Sequence, residues 1–267
     1  MGNRLKEKVA IVVGAGQQPG DTIGNGRAIS ILFAREGAKV MLVDRNLNSA
    51  QETKAMIDDE SGESFTFEAD IVREDDCRQM VEKCLELYGR IDILINNVGI
   101  GDGDRNIVKT REDVWDKIFN TNLKGMVFTS KYALPTMEKQ GYGTIINISS
   151  VASVCAPVPI PAYKISKSGV NSLTQLLAQQ YARKGIRVNA IMPGLLNTPI
   201  AIEGMSRATG INKKDLIKIR NKLVPLKGGM GDAWDTAYAA LFLASEEAKF
   251  ITGVVLPVDG GRSSKIG

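Results

Sequence analysis

The sequence predicts a doubly wound α/β fold, a single parallel sheet with helices on both faces. Three observations carry this. Short β-rich runs alternate with longer helical patterns from end to end. The runs are continuously apolar, as in strands covered on both sides, rather than alternating. Glycines cluster directly after the first run, at the βα junction where such sheets receive a ligand.

In order, residues 9–13 (Val-Ala-Ile-Val-Val) read as the first buried strand. Residues 24–35 form a helix with Ala28, Ile31, Leu32 and Ala34 on its apolar side. Strand 39–43, amphipathic helix 46–59, strand 65–68, helix 74–88 and strand 91–95 follow. Residues 111–137 carry a long helix, expected to break near Pro135. Strand 144–148 leads to a helix over 162–183, with Val170, Leu173, Leu176, Leu177 and Ala178 apolar. Strand 186–191, helix 233–244 and strand 253–258 complete the pattern. No repeat, low-complexity tract or linker divides residues 1–267, so one domain is expected.

Composition narrows the chemistry. At 267 residues and 43% hydrophobic, the chain can bury a large core. It has no apolar run of about 18 residues, so no membrane span is expected. Residues 1–8 are polar and lack a signal-peptide apolar region. Three cysteines, Cys77, Cys84 and Cys155, are too few and too odd for a disulfide framework; a reducing cytoplasm is expected. No histidine exists, which removes Ser-His-Asp and Cys-His catalysis and histidine metal sites. No metal is expected. Acid–base work near neutral pH must come from a perturbed Tyr, Lys, Cys or carboxylate. A net charge of +4, without a zinc-finger pattern or aromatic-rich basic patch, points away from nucleic acid.

The stretch Tyr163-Lys164-Ile165-Ser166-Lys167 is the most informative. On a helix, Tyr163 and Lys167 project from one face, one turn apart. An ammonium beside a phenol favours phenolate and is expected to lower the tyrosine pKa from about 10. Ser150, thirteen residues earlier and at a strand end, can hold a carbonyl or alcohol oxygen against that phenol. Together they suit proton transfer between an alcohol and a ketone. On spacing alone, Tyr and Lys one turn apart also occur on solvated faces.

Gly14, Gly24 and Gly26 flank the first βα junction, where backbone amides can approach a pyrophosphate at a helix N-terminus. Asp44 ends the second strand. A carboxylate there can take both ribose hydroxyls and repel a 2′-phosphate, which favours NAD over NADP. Arg45 beside it points the other way.

With these motifs, the chain resembles a classical short-chain dehydrogenase/reductase from about residue 8 to 261, a Rossmann-type fold. Asp70-Ile71 stands where that family contacts adenine. Asn96-Asn97-Val98-Gly99 matches its NNAG motif, and Asn122 its active-site asparagine. Ser150, Tyr163 and Lys167 complete the tetrad. Pro193-Gly194-Leu195-Leu196-Asn197-Thr198 matches PGxxxT, which borders the nicotinamide, and Val258-Asp259-Gly260-Gly261 matches the family's ending. The resemblance implies that Asn122 kinks a helix and holds a relay water. It implies that Tyr163 is the general acid/base, and that Lys167 lowers its pKa and bonds the nicotinamide ribose. It also implies a homotetramer, or at least a dimer. The helix over 162–183 would pack on its own copy through Val170, Leu173 and Leu177. Ser149 competes with Ser150 for the serine role, and the thirteen-residue separation favours Ser150.

One departure stands out. Nine residues, rather than three, separate Gly14 from Gly24. The extra stretch, 17–22, would either fold over the pyrophosphate or form a surface bulge. The family's enoyl reductases also lengthen this loop, but they space Tyr and Lys further apart and lack the serine. A substrate lid is expected at about 198–229, with Gly210, Gly228 and Gly229 as hinges. Ile200, Ile202, Met205 and Ile211, with Cys155, Ala156, Pro157, Val158 and Pro159 opposite, suggest an apolar pocket for a small-molecule cyclic or aromatic alcohol or ketone. Lys213, Lys214, Lys218, Arg220 and Lys222 would meet an acidic substrate or carrier protein, or form a solvated face. A 3-oxoacyl-(acyl-carrier-protein) reductase using NADPH and a non-catalytic nucleotide sensor remain as alternatives.

Overall fold

The computed structural model describes residues 2–155 and 159–264. Seven strands form at the apolar runs: β1 (Val9–Val13), β2 (Lys39–Asp44), β3 (Glu63–Glu68), β4 (Ile93–Asn96), β5 (Gly143–Ile148), β6 (Ile186–Pro193) and β7 (Val255–Val258). All pair in parallel, in the order β3-β2-β1-β4-β5-β6-β7. The order reverses between β1 and β4, and every crossover carries a helix, as parallel pairing requires.

Helices α1 (Asn25–Arg35), α2 (Leu47–Asp59) and α9 (Ala233–Ala244) cover one face. Helices α3 (Glu74–Tyr88), α5 (Gly125–Gln140) and α6 (Pro161–Tyr181) cover the other. Both faces of the central strands are therefore dry, which is why their sequences read as unbroken apolar runs. The short α4 (Glu112–Phe119) packs through Ile118 on Ile100 and Ala162. After β6 come one π-helical turn (Ile200–Gly204), α7 (Met205–Thr209) and α8 (Lys213–Lys222).

Two expectations need correction. The long helix breaks at a π-helical turn, Asn120–Lys124, and not at Pro135, which lies inside α5. Pro135 is exposed, so the carbonyl it leaves without a donor faces water, and the helix tolerates it. Val170 and Leu177, offered above for self-association, are spent in the monomer core at 0% and 8% exposure. The outward apolar residues of α6 are Ile165 and Leu176.

Strand β7 is an edge. The carbonyls of Val254 and Val258 accept from Ala190 on β6 and from Gly194 just past its end. Alternate residues thus bond inward, and Pro257 falls on the outward register.

Candidate active site

Parallel strands bring their carboxyl ends to one rim, and the reversal between β1 and β4 opens a crevice there. The expected site residues gather along that rim. Gly14 follows β1 with φ +80°, a conformation glycine adopts without strain. Its amide and that of Ala15 both donate to the Val43 carbonyl. The Asn97 side chain, just past β4, donates to the Gly14 carbonyl at 2.9 Å. A Cβ on Gly26 would stand 1.8 Å from the same oxygen. Gly24 precedes α1 and gives it no side-chain cap, so the helix's first amides point into the crevice unclaimed. This is a cradle shaped by missing side chains, and it fits a pyrophosphate.

Asp44 ends β2 beside that cradle. Its two oxygens accept the Gly16 and Asn46 amides at 3.0 and 2.9 Å, which orients the carboxylate and leaves further lone pairs free. Arg45 is exposed. Asp70, half-buried after β3, accepts the Val72 amide at 3.1 Å, and Ile71 is buried beside it. At the end of β6, a Cβ on Gly194 would stand 2.5 Å from Asp259 Cα, so Pro193-Gly194 runs hard against the C-terminal segment. Leu196 and Thr198 are buried just beyond.

The proton-transfer groups sit at the centre. Helix α6 opens at Pro161, and the Tyr163 amide donates to Asp104 at 2.7 Å. Asp104 was missed in the sequence because it acts across 59 residues. Lys167, one turn on, is 2% exposed, and its Nζ donates to the Ile148 carbonyl at 2.9 Å and to Val98 at 3.4 Å. Gly99 makes room for it, since a Cβ there would meet Nζ at 2.9 Å. Lys167 Nζ lies 5.9 Å from the Tyr163 ring centre.

Ser149 is buried and donates to the Lys167 carbonyl at 3.1 Å. Ser150 is only half-buried, caps a short turn through the Ala152 amide, and lies against the phenol. Asn122, fully buried in the π-helical turn, clasps Ile100 by both its amide and its carbonyl at 2.8 and 2.9 Å. It also donates to Ser166 at 3.1 Å. Ser166 in turn donates to the Tyr163 carbonyl.

The electrostatics of the free protein differ from expectation. Burial pushes the Tyr163 phenol up from 10, and the Ser150 hydroxyl pulls it only partly back. Burial lowers Lys167 from 10.5 to about 7. Loss of water governs both groups, and Lys167 Nζ donates to backbone carbonyls rather than to the phenol. Lysine does not depress the tyrosine in this state.

In the 198–229 segment, Ile202 is buried, while Ile200, Met205 and Ile211 are partly exposed. Cys155, expected on the facing wall, is half-exposed, and Lys164 Nζ nearby in sequence donates to the Ala152 carbonyl at 3.1 Å. Ala156, Pro157 and Val158 lie outside the described residues. The basic helix α8 divides. Lys214, Lys218 and Lys222 are exposed. Arg220 is buried between the Met205 and Met230 sulfurs, and Lys213 bridges Asp21 and Glu203. Gly210, Gly228 and Gly229 all adopt positive φ.

Known proteins resemble this chain along nearly its whole length. The family described as Enoyl-(Acyl carrier protein) reductase matches residues 21–263. The 7alpha-hydroxysteroid dehydrogenase of Clostridium sardiniense is 38% identical over 263 residues, covering 97% of this chain and 94% of its own. A structure described as a short-chain dehydrogenase/reductase of Burkholderia xenovorans is 38% identical with a TM-score of 0.91, covering 99% of this chain and 100% of its own. Carveol dehydrogenase from Mycobacterium avium, solved in complex with NAD, is 29% identical with a TM-score of 0.90 over 98% of this chain and 100% of its own.

Proposed function

The chain belongs to the short-chain dehydrogenase/reductase family, an oxidoreductase family, and from that premise we propose that it interconverts a secondary alcohol and its ketone using NAD(H). The observation that carries this reading is the convergence of Ser150, Tyr163 and Lys167 beside Gly99, on the same rim as the glycine cradle. In an enoyl reductase, tyrosine and lysine would be spaced further apart and the serine absent.

Bound NAD supplies the hydride acceptor for oxidation and, when reduced, the donor for the reverse. Gly14, Gly24 and Gly26 would admit its pyrophosphate and Asp44 its adenosine ribose. Asp70, Ile71 and Asn97 would line the adenine side, with Gly99, Pro193, Gly194, Leu196 and Thr198 along the nicotinamide. Ser150 holds the reacting oxygen. Tyr163 takes its proton in oxidation and returns it in reduction, contributing about a hundred- to ten-thousand-fold. Lys167, two of whose donors engage Val98 and Ile148, would hold the nicotinamide ribose with the remaining one. Asn122, whose carboxamide is committed to Ile100 and Ser166, sits in the π-helical turn and would offer its backbone to a relay water.

The 198–229 segment acts as the substrate lid, and its apolar groups suit a small ring-bearing alcohol. The names of the hydroxysteroid and carveol relatives lie in the same direction. We place the protein in the cytoplasm as a homotetramer. Among the described residues, no helix is long and apolar enough to cross a membrane. Asp44 weighs against an NADPH-linked 3-oxoacyl reductase, and the complete tetrad weighs against a non-catalytic sensor. Steady-state turnover of cyclic alcohols and acyl thioesters, each with NAD(H) and NADP(H), tests the reading. Turnover of thioesters alone, or of nothing in the panel, would overturn it.

A further inference from the structure

The insertion at residues 17–22 is fastened to the lid at its tip. The Asp21 amide donates to Glu203 Oε1 at 3.2 Å. Lys213 Nζ, on α8, lies 3.1 Å from both Asp21 Oδ2 and Glu203 Oε1. Arg207 reaches the Gln18 side chain at 3.4 Å. Gly20 presses into the same place, where a Cβ would stand 2.8 Å from Pro199 Cβ and from Glu203 Cδ. Glu203 is only 7% exposed, and a carboxylate so deep must be paired to persist. Its Oε1 takes both donors, while Oε2 has none.

The loop is stiff at its root as well. Gln17 accepts the Gly24 amide at 2.9 Å and donates to the Thr22 carbonyl at 3.3 Å. The Gln17 amide donates to Ser49 at 2.8 Å. The loop therefore leaves and returns on either side of the α1 N-terminus, where the pyrophosphate belongs. Its tip touches the segment that begins at Thr198, on the nicotinamide side. Together these contacts tie the inserted loop, rooted at the α1 N-terminus, to the segment that follows β6.

We infer that Glu203 is a positioning residue which, with Lys213 and Asp21, bolts the inserted loop to the lid, so that cofactor release requires the two to part. This rests on the dinucleotide reading given above. Two consequences follow. Bound cofactor and closed lid favour each other equally, because coupling between two binding events is reciprocal. The bolt is also weak: the Lys213 and Asp21 side chains are 44% and 82% exposed, and exposed pairs contribute little and are screened by salt. It slows release without sealing the site.

NADH fluorescence followed by stopped flow on the whole chain tests this without any substrate. Glu203 is too deeply buried to change first, so its exposed partners carry the experiment. Lys213→Met and Asp21→Asn should each speed NADH release about two- to tenfold with unchanged melting temperature, and Lys213→Arg should restore the wild-type rate. Wild-type release should quicken with added salt, and release from Lys213→Met should respond far less. Asp21→Asn is the decisive variant. A through-space charge effect on the pyrophosphate would make it hold NADH longer, because it removes a negative charge. Slower release in Asp21→Asn, or wild-type release in both variants, would overturn the bolt and leave the dinucleotide site standing. Failure of the wild type to bind either NADH or NADPH would overturn the dinucleotide reading itself, and the bolt with it.

Discussion

The first turn of α1 lies so close to the end of β1 that a methyl group on Gly26 would stand 1.8 Å from the Gly14 carbonyl oxygen. The Asn97 amide that donates to that carbonyl lies only 2.6 Å from the same methyl position, so the added group would meet donor and acceptor together. Gly26→Ala should therefore cost about 1–3 kcal/mol of stability and weaken NADH binding together. Urea unfolding and fluorescence titration read the two effects. Wild-type values in both would show that the approach is looser than described.

Tyr163→Phe should lower kcat at least about a hundredfold while NADH affinity stays near that of the wild type. The change removes only the hydroxyl, and the Tyr163 amide bond to Asp104 remains. Near-wild-type turnover would remove tyrosine from the proton path.

Asp44→Ala should lower the ratio of kcat/KM for NAD to that for NADP by about tenfold or more. The variant loses charge-assisted ribose hydrogen bonds and repulsion of a 2′-phosphate. It also frees the Gly16 amide that Asp44 now holds, so NAD affinity itself should fall. A wild type that already prefers NADPH would make exposed Arg45 the deciding residue.

Lys167 titrates at about 7 in the folded chain, against 10.5 for an ordinary lysine. Between those values the unfolded chain holds the extra proton, so stability rises with pH across the window, and this contribution is absent below about 7. Cys77 and Cys84 are raised by burial from 9.0 to about 12, and Tyr88 from 10.0 to about 12, so they act in the opposite sense only above about 9. The chain has no histidine to confuse the interval. Unfolding free energy should thus climb by about 2–3 kcal/mol from pH 7 to 9. Lys167→Met should flatten the climb. An unchanged climb in that variant would assign it to another group.

Light scattering should give a mass several times the 28.9 kDa of one chain. Ile165 and Leu176 on α6 and Val127 on α5 are exposed apolar residues open to a two-fold contact. Leu176→Glu should lower the mass. A wild-type mass near that of one chain at micromolar concentration would refute the assembly.

Much of this was legible because parallel strands leave an unmistakable trace. Val9 to Val13 is apolar on both sides of the strand, and the structure buries all five residues. Tyr163, Lys167 and Ser150 were legible because a helical turn and a strand end fix their spacing. What sequence withheld is whatever depends on distant partners. Asp104 meets Tyr163, and Glu203 meets Asp21, only after the chain has folded. The direction of the Tyr163 pKa was missed for a related reason. Spacing shows that a lysine is near, but not that burial lowers it to about 7 and that its Nζ donates to backbone carbonyls.

The outward-facing Pro257 has a consequence for behaviour at high concentration. Open sheet edges invite strands from other molecules, and a row of free amides is what recruits them. Here the short edge strand presents an imide nitrogen with no hydrogen in its outward row. A foreign strand laid along β7 would find a donor missing in the middle of its ladder. Cross-β stacking from this side is thereby frustrated.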